Sequence, residues 1–131
     1  MLHRSSEDYL KTIYVLHMNS GTVRSVDVAE HLGVTKPSVC NAIRVLKEGG
    51  FLIMDERKRL SFTETGREMA KRIYERHCIL REALISIGIS REIAERDACR
   101  IEHDISRETF EKLKDFLGNH TGLRSNLKGD G

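Results

Sequence analysis

The chain has 131 residues, 39% of them apolar and 32% charged, with one Pro and no Trp. That is room for one compact domain or two small lobes sharing a core, and too little for a barrel enzyme or a dinucleotide-binding domain with a separate substrate domain. The balance suits a solvated helical protein rather than a turn-rich β-sandwich, and the net charge of +2 excludes a simple polycation without excluding nucleic-acid binding. Residues 6–18 read as a helix, since Tyr9, Leu10, Ile13, Tyr14 and Leu16 recur at helical spacing. Asn19-Ser20-Gly21 stops it. Ser25 is then an N-cap for a short helix through Leu32, with Asp27 in its first turn. Gly33 ends that helix. Thr35 caps the next, with Lys36 and Pro37 in its first turn. This third helix carries Val39, Ala42, Ile43 and Leu46 as an i, i+3, i+4, i+7 stripe, and Gly49-Gly50 terminates it.

Beyond Gly50 the pattern changes to β. Two short runs, 51–54 and 59–63, flank a charged turn at Asp55–Lys58 and predict a hairpin. A long helix follows over 64–86, broken by Gly88. Ser90 caps a helix over 91–104, and Ser106 caps one over 107–117. From Gly118 the sequence is glycine-rich with little to form a core, so residues 118–131 read as a flexible tail. No apolar run approaches the roughly 18 residues that span a bilayer, and the N-terminus has no signal-peptide core, so a cytoplasmic protein without membrane partners is expected. Cys40, Cys78 and Cys99 form no CxxC pair and read as free thiols, with Cys40 and Cys78 as packing residues.

Helix, short helix, Gly, helix, hairpin is the order of a winged helix-turn-helix. Ala29 is small where two helices would cross, Gly33 permits the turn, and Val39 plugs the space between them. The second helix of such a motif enters the major groove of double-stranded DNA. Ser38, Asn41 and Arg44 lie opposite the apolar stripe; Asn can pair bidentately with adenine and Arg with guanine. Thr35 and Lys36 are placed for phosphates. Between Lys36 and Arg59 there are six basic and three acidic residues, whereas residues 67–117 balance at eleven and eleven. The positive excess thus falls on the reading helix and on Arg57-Lys58-Arg59 at the hairpin tip, where phosphates are met. By itself that tip is equally a solvated turn; the helix-turn-helix spacing beside it points to DNA.

The second half carries a different chemistry. Cys99, Glu102 and His103 share one helical face and offer a thiolate, a carboxylate and an imidazole, three metal-ligand types. The bland alternatives are a small core thiol and two solvated polar groups. His77 alone reads best as a satisfied, partly buried histidine, and Asp8 as a first-turn acid favouring the helix dipole.

Residues 1–117 resemble the metal-dependent repressors of the diphtheria toxin repressor and manganese transport regulator family. The segments that carry the resemblance are SSEDYLKTIYVL at 5–16, the helix-turn-helix, GFLIMDERKRLSFTETGREMAKRIYERH at 50–77 and DACRIEHDIS at 97–106. The resemblance implies a mainly α fold: an N-terminal winged helix-turn-helix domain (1–66), then a helical metal-binding and dimerisation domain (67–117). It implies a homodimer on a DNA operator, and a metal site joining the first helix to the fourth and fifth. The implied ligands are Asp8, Cys99, Glu102 and His103, with His77 joining them or serving an adjacent partial site. Asp8 matches the manganese branch and Cys99 the iron branch. Lys11 departs from the manganese branch, which has a bridging Glu there. Arg81 and Glu95 depart from the ancillary site of the iron branch, which has Glu and His. One site is therefore expected rather than two. A thiolate favours Fe(II) first and Mn(II) second, with Co(II), Ni(II) or Zn(II) also compatible. Ile89, Ile93, Ala94, Ile101, Ile105, Phe110, Leu113 and Phe116 are the apolar candidates for the dimer surface, shared with the internal core. The function expected is a metal-dependent transcriptional repressor. Two alternatives stand beside it: a winged-helix regulator answering a small organic ligand or thiol oxidation, and an enzyme, since Cys99-x-x-Glu102-His103 is the inverted zinc-protease pattern with Cys for its first His.

Overall fold

The computed structural model describes residues 4–120. The helices are α1 (Arg4–Ser20), α2 (Ser25–Leu32), α3 (Lys36–Glu48), α4 (Glu64–Ser86), α5 (Arg91–Ile101) and α6 (Arg107–His120); the strands are β1 (Val23–Arg24), β2 (Leu52–Met54) and β3 (Arg59–Phe62). The chain divides into two compact units, the first ending at Arg72 and the second beginning at Ile73. The division falls inside α4, whereas the sequence places its boundary at 66/67.

In the first unit the helical stripe does what its spacing requires. Leu10 and Ile13 of α1, Val28 of α2, and Val39, Ile43 and Leu46 of α3 close on a shared core with Val23, Leu52, Leu60 and Ala70. Val39 is fully buried. Ala29 and Leu32 pack on the periphery of this cluster. Gly33 has φ +66°, in the left-handed region that costs glycine least, and its N–H bonds Ala29 O at 2.9 Å. The chain can therefore turn directly from α2 into α3. Thr35 caps α3 as expected, its Oγ accepting from Ser38 N at 3.3 Å.

Three sequence expectations are corrected in this unit. Ser25 is the first helical residue of α2 rather than its cap; the cap is Arg24, whose N–H is held by Asp27 Oδ2 at 2.8 Å. Cys40 is exposed on α3, not packed, because it lies beside the stripe rather than on it. The hairpin gains a third strand, giving the order β1-β3-β2. Val23 pairs with Leu60 and Arg24 with Arg59. A strand of two residues is too short to show a period-2 pattern. In the hairpin, Leu52 pairs with Phe62 and Met54 with Leu60. His17 ties α1 to this sheet: Nε2 lies 2.8 Å from Leu60 O and Nδ1 3.2 Å from Gly21 O.

The second unit has a smaller core of Ile79, Phe110 and Leu117, with Ala83 and Ile105 packed against it. α5 ends three residues earlier than its sequence pattern predicts, at Ile101, so Glu102 is its C-cap and His103 lies in the turn beyond. α6 continues through Gly118 to His120, three residues into the expected tail; residues 121–131 lie outside the described residues.

Gly66 is a packing requirement the sequence did not disclose. Thr63 caps α4, donating to Gly50 O at 2.6 Å and accepting from Gly66 N at 3.0 Å. This pulls the helix start against the Phe51 backbone, and a Cβ on Gly66 would lie 1.9 Å from Phe51 O. Gly66→Ala is expected to destabilise the chain by about 1–3 kcal/mol, the usual cost of overpacking against a neighbour that cannot yield. Urea unfolding checks this; an unchanged midpoint would show that the helix start can shift freely.

Candidate metal centre and nucleic-acid interface

The buried stripe of α3 sends its opposite face to solvent. Thr35, Lys36, Ser38, Asn41 and Arg44 are all exposed. Arg44 donates to Asn41 Oδ1 at 2.7 Å and to Glu48 Oε2 at 3.0 Å, so the two residues expected to read bases lie together on that face. Arg57, Lys58 and Arg59 are exposed at the hairpin end, where Lys58 has φ +63°. Asp55 organises this turn. Its carboxylate accepts from the backbone N–H groups of Arg57 and Arg59, each at 2.9 Å, and from Arg59 Nε at 2.6 Å. The Arg59 backbone bond is chiefly what holds the Asp55 carboxyl below the ordinary aspartate range, with the guanidinium adding to it.

The second set lies in the second unit. His77 projects from the middle of α4, Cys99 from the last turn of α5, and Glu102 from its C-cap. One ligand atom from each lies within 4.8 Å of the others. His77 Nδ1 is 3.0 Å from Glu102 Oε2 and 3.8 Å from Cys99 Sγ. The Glu102 side chain has no exposed surface, and His103 Nε2 stands 3.4 Å from its other oxygen. Cys99 is exposed, so the set is reachable from solvent. Cys78, next to His77, is buried as expected, and that burial raises its thiol pKa.

The early end of α5 does not scatter these residues. Glu102 keeps right-handed helical geometry, and its N–H still bonds Ala98 O at 3.0 Å. Arg76 steadies the turn that follows. It donates to Glu102 O at 3.3 Å and Ile105 O at 3.4 Å, with its guanidinium 5.4 Å from the centre of the Phe110 ring. Nothing in the sequence marks this Arg for the role. Arg81 and Glu95, marked there only as departures, bond each other at 2.9 Å, and Glu95 Oε2 lies 2.8 Å from His77 Nε2. Asp8 lies in the first unit, half-buried on α1.

The chemistry of the set fits a transition-metal ion. His77 has a carboxylate against each ring nitrogen, but a neutral imidazole has a single N–H. One contact therefore brings lone pairs together unless a proton or a cation lies between them. A buried carboxylate is costly without a compensating charge. An imidazole, a thiolate and that carboxylate are the donor types that hold such ions.

Comparison with known proteins agrees with this division. The iron dependent repressor N-terminal DNA binding domain matches residues 1–60, and the iron dependent repressor metal binding and dimerisation domain matches residues 63–122. The transcriptional regulator MntR of Salmonella typhimurium is 36% identical over 114 residues, covering 87% of this chain and 73% of the relative. Among solved structures, the IdeR of T. acidophilum is 31% identical with a TM-score of 0.75. The manganese regulator SloR is 25% identical with a TM-score of 0.77. The match covers 86% of this chain and 53% of either solved chain, so this chain spans about half their length. The architecture is that of a metal-dependent DNA-binding regulator. The chain belongs to the iron-dependent repressor family. No helix among the described residues is long and apolar enough to cross a membrane.

The Asp55 geometry sets a pH dependence for the hairpin turn. A carboxyl whose folded pKa is depressed stabilises the fold above its unfolded value, about 3.9, and loses that contribution as pH falls through the folded value. Protection of the Arg57 and Arg59 amides from hydrogen exchange should be flat from pH 7 down to about 4 and fall below it. In Asp55→Asn the acid-dependent loss should vanish.

Proposed function

We propose that the chain is a homodimeric repressor whose operator affinity is set by one divalent ion per subunit, Fe(II) in preference to Mn(II). The observation that carries this reading is the convergence of His77, Cys99 and a fully buried Glu102 carboxylate in a chain whose other unit presents a winged-helix reading face. His103 and Asp8 complete the proposed ligand set, and their residue types are those of the family. The thiolate of Cys99 favours Fe(II) over Mn(II), because Mn(II) prefers hard oxygen donors. Similarity to the manganese regulator SloR supports keeping Mn(II) as the second choice. When bound, the ion supplies the positive charge that neutralises the converging carboxylate and thiolate.

The residues of the chain do the rest. Within the second unit, Glu102 and a deprotonated Cys99 repel one another when no cation lies between them. In the proposed ligand set Asp8 would tie α1 to the ion, and α1 packs in the core that carries α3. A dimer restrained in this way presents its two α3 helices at the spacing of half-sites one DNA turn apart, about 34–36 Å. Asn41 and Arg44 read base edges, while Thr35, Lys36, Arg57, Lys58 and Arg59 meet phosphates. Of the apolar dimer candidates, Ala94 and Phe110 are buried in the subunit, whereas Ile93, Ile101 and Phe116 remain exposed. Ile87, outside the set expected from sequence, is the most exposed large apolar side chain among the described residues, at 74%. These four residues are the proposed dimer surface.

The experiment is elemental analysis of the purified chain, then anaerobic titration with Fe²⁺ and Mn²⁺ while operator binding is followed. Binding should rise with metal and fall in chelator, with Fe²⁺ effective at the lower concentration. Equal affinity in chelator and in excess metal would sink the mechanism. Cys99→Ala should weaken metal uptake without unfolding the chain. Asn41→Ala should cost about 1–3 kcal/mol at one base position, whereas Lys36→Ala should weaken binding to all sequences and flatten the salt slope by about 1. Phe116→Glu should yield monomers by sedimentation; a dimer unchanged by it would place the interface elsewhere.

A further inference from the structure

The two nitrogens of His77 face different surroundings. Nδ1 faces Glu102 at 3.0 Å and Cys99 at 3.8 Å. Nε2 faces Glu95 Oε2 at 2.8 Å, and Glu95 is not part of the converging donor set. The second oxygen of Glu95 accepts from Arg81 at 2.9 Å, and Arg81 Nε donates to Glu82 at 3.0 Å. A chain of contacts thus runs from Glu82 through Arg81 and Glu95 to the far side of the imidazole. It uses α4 and α5 only, the two helices that carry His77 and Cys99.

We infer that Glu95, held by Arg81, is a positioning residue that keeps the His77 proton on Nε2 and turns the Nδ1 lone pair toward Cys99 and Glu102. An ionised carboxylate only accepts hydrogen bonds, and a neutral imidazole has one N–H for the two carboxylates that face it; the shorter contact, to the Glu95 that Arg81 clamps, takes it on Nε2. A neutral imidazole then has its lone pair on Nδ1, the form that binds a metal. Both Glu95 oxygens are taken, one by Arg81 and one by His77. Arg81 therefore also keeps Glu95 from competing as a ligand. Ligand rings oriented by a carboxylate on the other nitrogen hold metal more tightly, by about 10–100-fold in comparable sites.

The inference rests on the proposed metal site, and the test separates the two. Long-range ¹H–¹⁵N spectra of the metal-free chain at alkaline pH report the His77 tautomer directly. Wild type should show Nε2–H. Glu95→Ala should show a mixture of tautomers and lose about 10–100-fold in Fe²⁺ affinity measured against a competing chelator. Glu95→Gln, whose side-chain carbonyl can still accept from Nε2, should recover most of that loss. Arg81→Met should shift tautomer and affinity in the same direction as Glu95→Ala, and by less. Thermal melts show whether each variant is folded, and Glu95→Gln carries the test if Glu95→Ala is not. An Nδ1–H tautomer in wild type, or full metal affinity in folded Glu95→Ala, would overturn the inference and leave the metal site standing. A wild-type chain that binds neither Fe²⁺ nor Mn²⁺ would overturn the metal reading, and with it the purpose assigned here to the contact.

Discussion

Glu102 is a carboxylate with no exposed surface, set at the C-cap of α5 with an imidazole against each oxygen. Taking such a group out of water costs several kcal/mol unless charges and hydrogen bonds replace the solvent. Much of the second unit follows from that requirement. His77 approaches from α4 and is held from behind by Glu95. Arg76, one residue earlier, bonds the Glu102 carbonyl and clamps the turn that α5 leaves open. A surface loop would place its polar groups loosely. Here helix ends and a helix middle, all packed, present them from directions that side-chain motion alone cannot change.

The first unit works under a different constraint, which is steric rather than electrostatic. Its polar face on α3 is useful only if the helix stays in one orientation. Val39, Ile43 and Leu46 supply that orientation, each burial contributing about 1.5–3 kcal/mol. Gly33 makes the turn into α3 short. Gly66 and Thr63 dock the start of α4 against Phe51, so the sheet that carries the charged hairpin end is held at its base. Asp55 then fixes the turn itself by taking two backbone N–H groups. Nearly every charged residue of the reading face is left exposed because apolar residues already hold the backbone.

Periodicity made most of the first unit legible, since its core residues recur at helical spacing and its helix ends carry capping residues. What escaped was either too short or too three-dimensional for a pattern. β1 has two residues. Gly66 is explained by a backbone that lies distant in sequence, and the exposure of Cys40 by a small rotation off the apolar stripe. In the second unit the ligand types at 99, 102 and 103 were legible as a short motif. His77 needed the resemblance, because a lone histidine on a helix has no pattern of its own. Arg76, Arg81 and Glu95 escaped as supports because their partners lie 14 to 29 residues away. Charged residues that serve a buried site look, in sequence, like those that face water.

Charge pairing within the second unit bears on how many cations it takes. Glu95 and Arg81 form a matched pair, so Glu95 offers no charge to an incoming ion. That leaves the Glu102 carboxylate and, once it loses its proton, the Cys99 thiolate. Within the α4–α5 pair these two negative charges and a neutral imidazole match one divalent ion, and Asp8 of the proposed set would add a third negative charge. A second ion close to Arg81 would meet a fixed positive charge, and like charges at short range in a partly buried site repel strongly. Arg81 therefore does more than orient a carboxylate. It is a fixed cation beside the site, and under the proposed reading it disfavours a second metal on the α4–α5 pair.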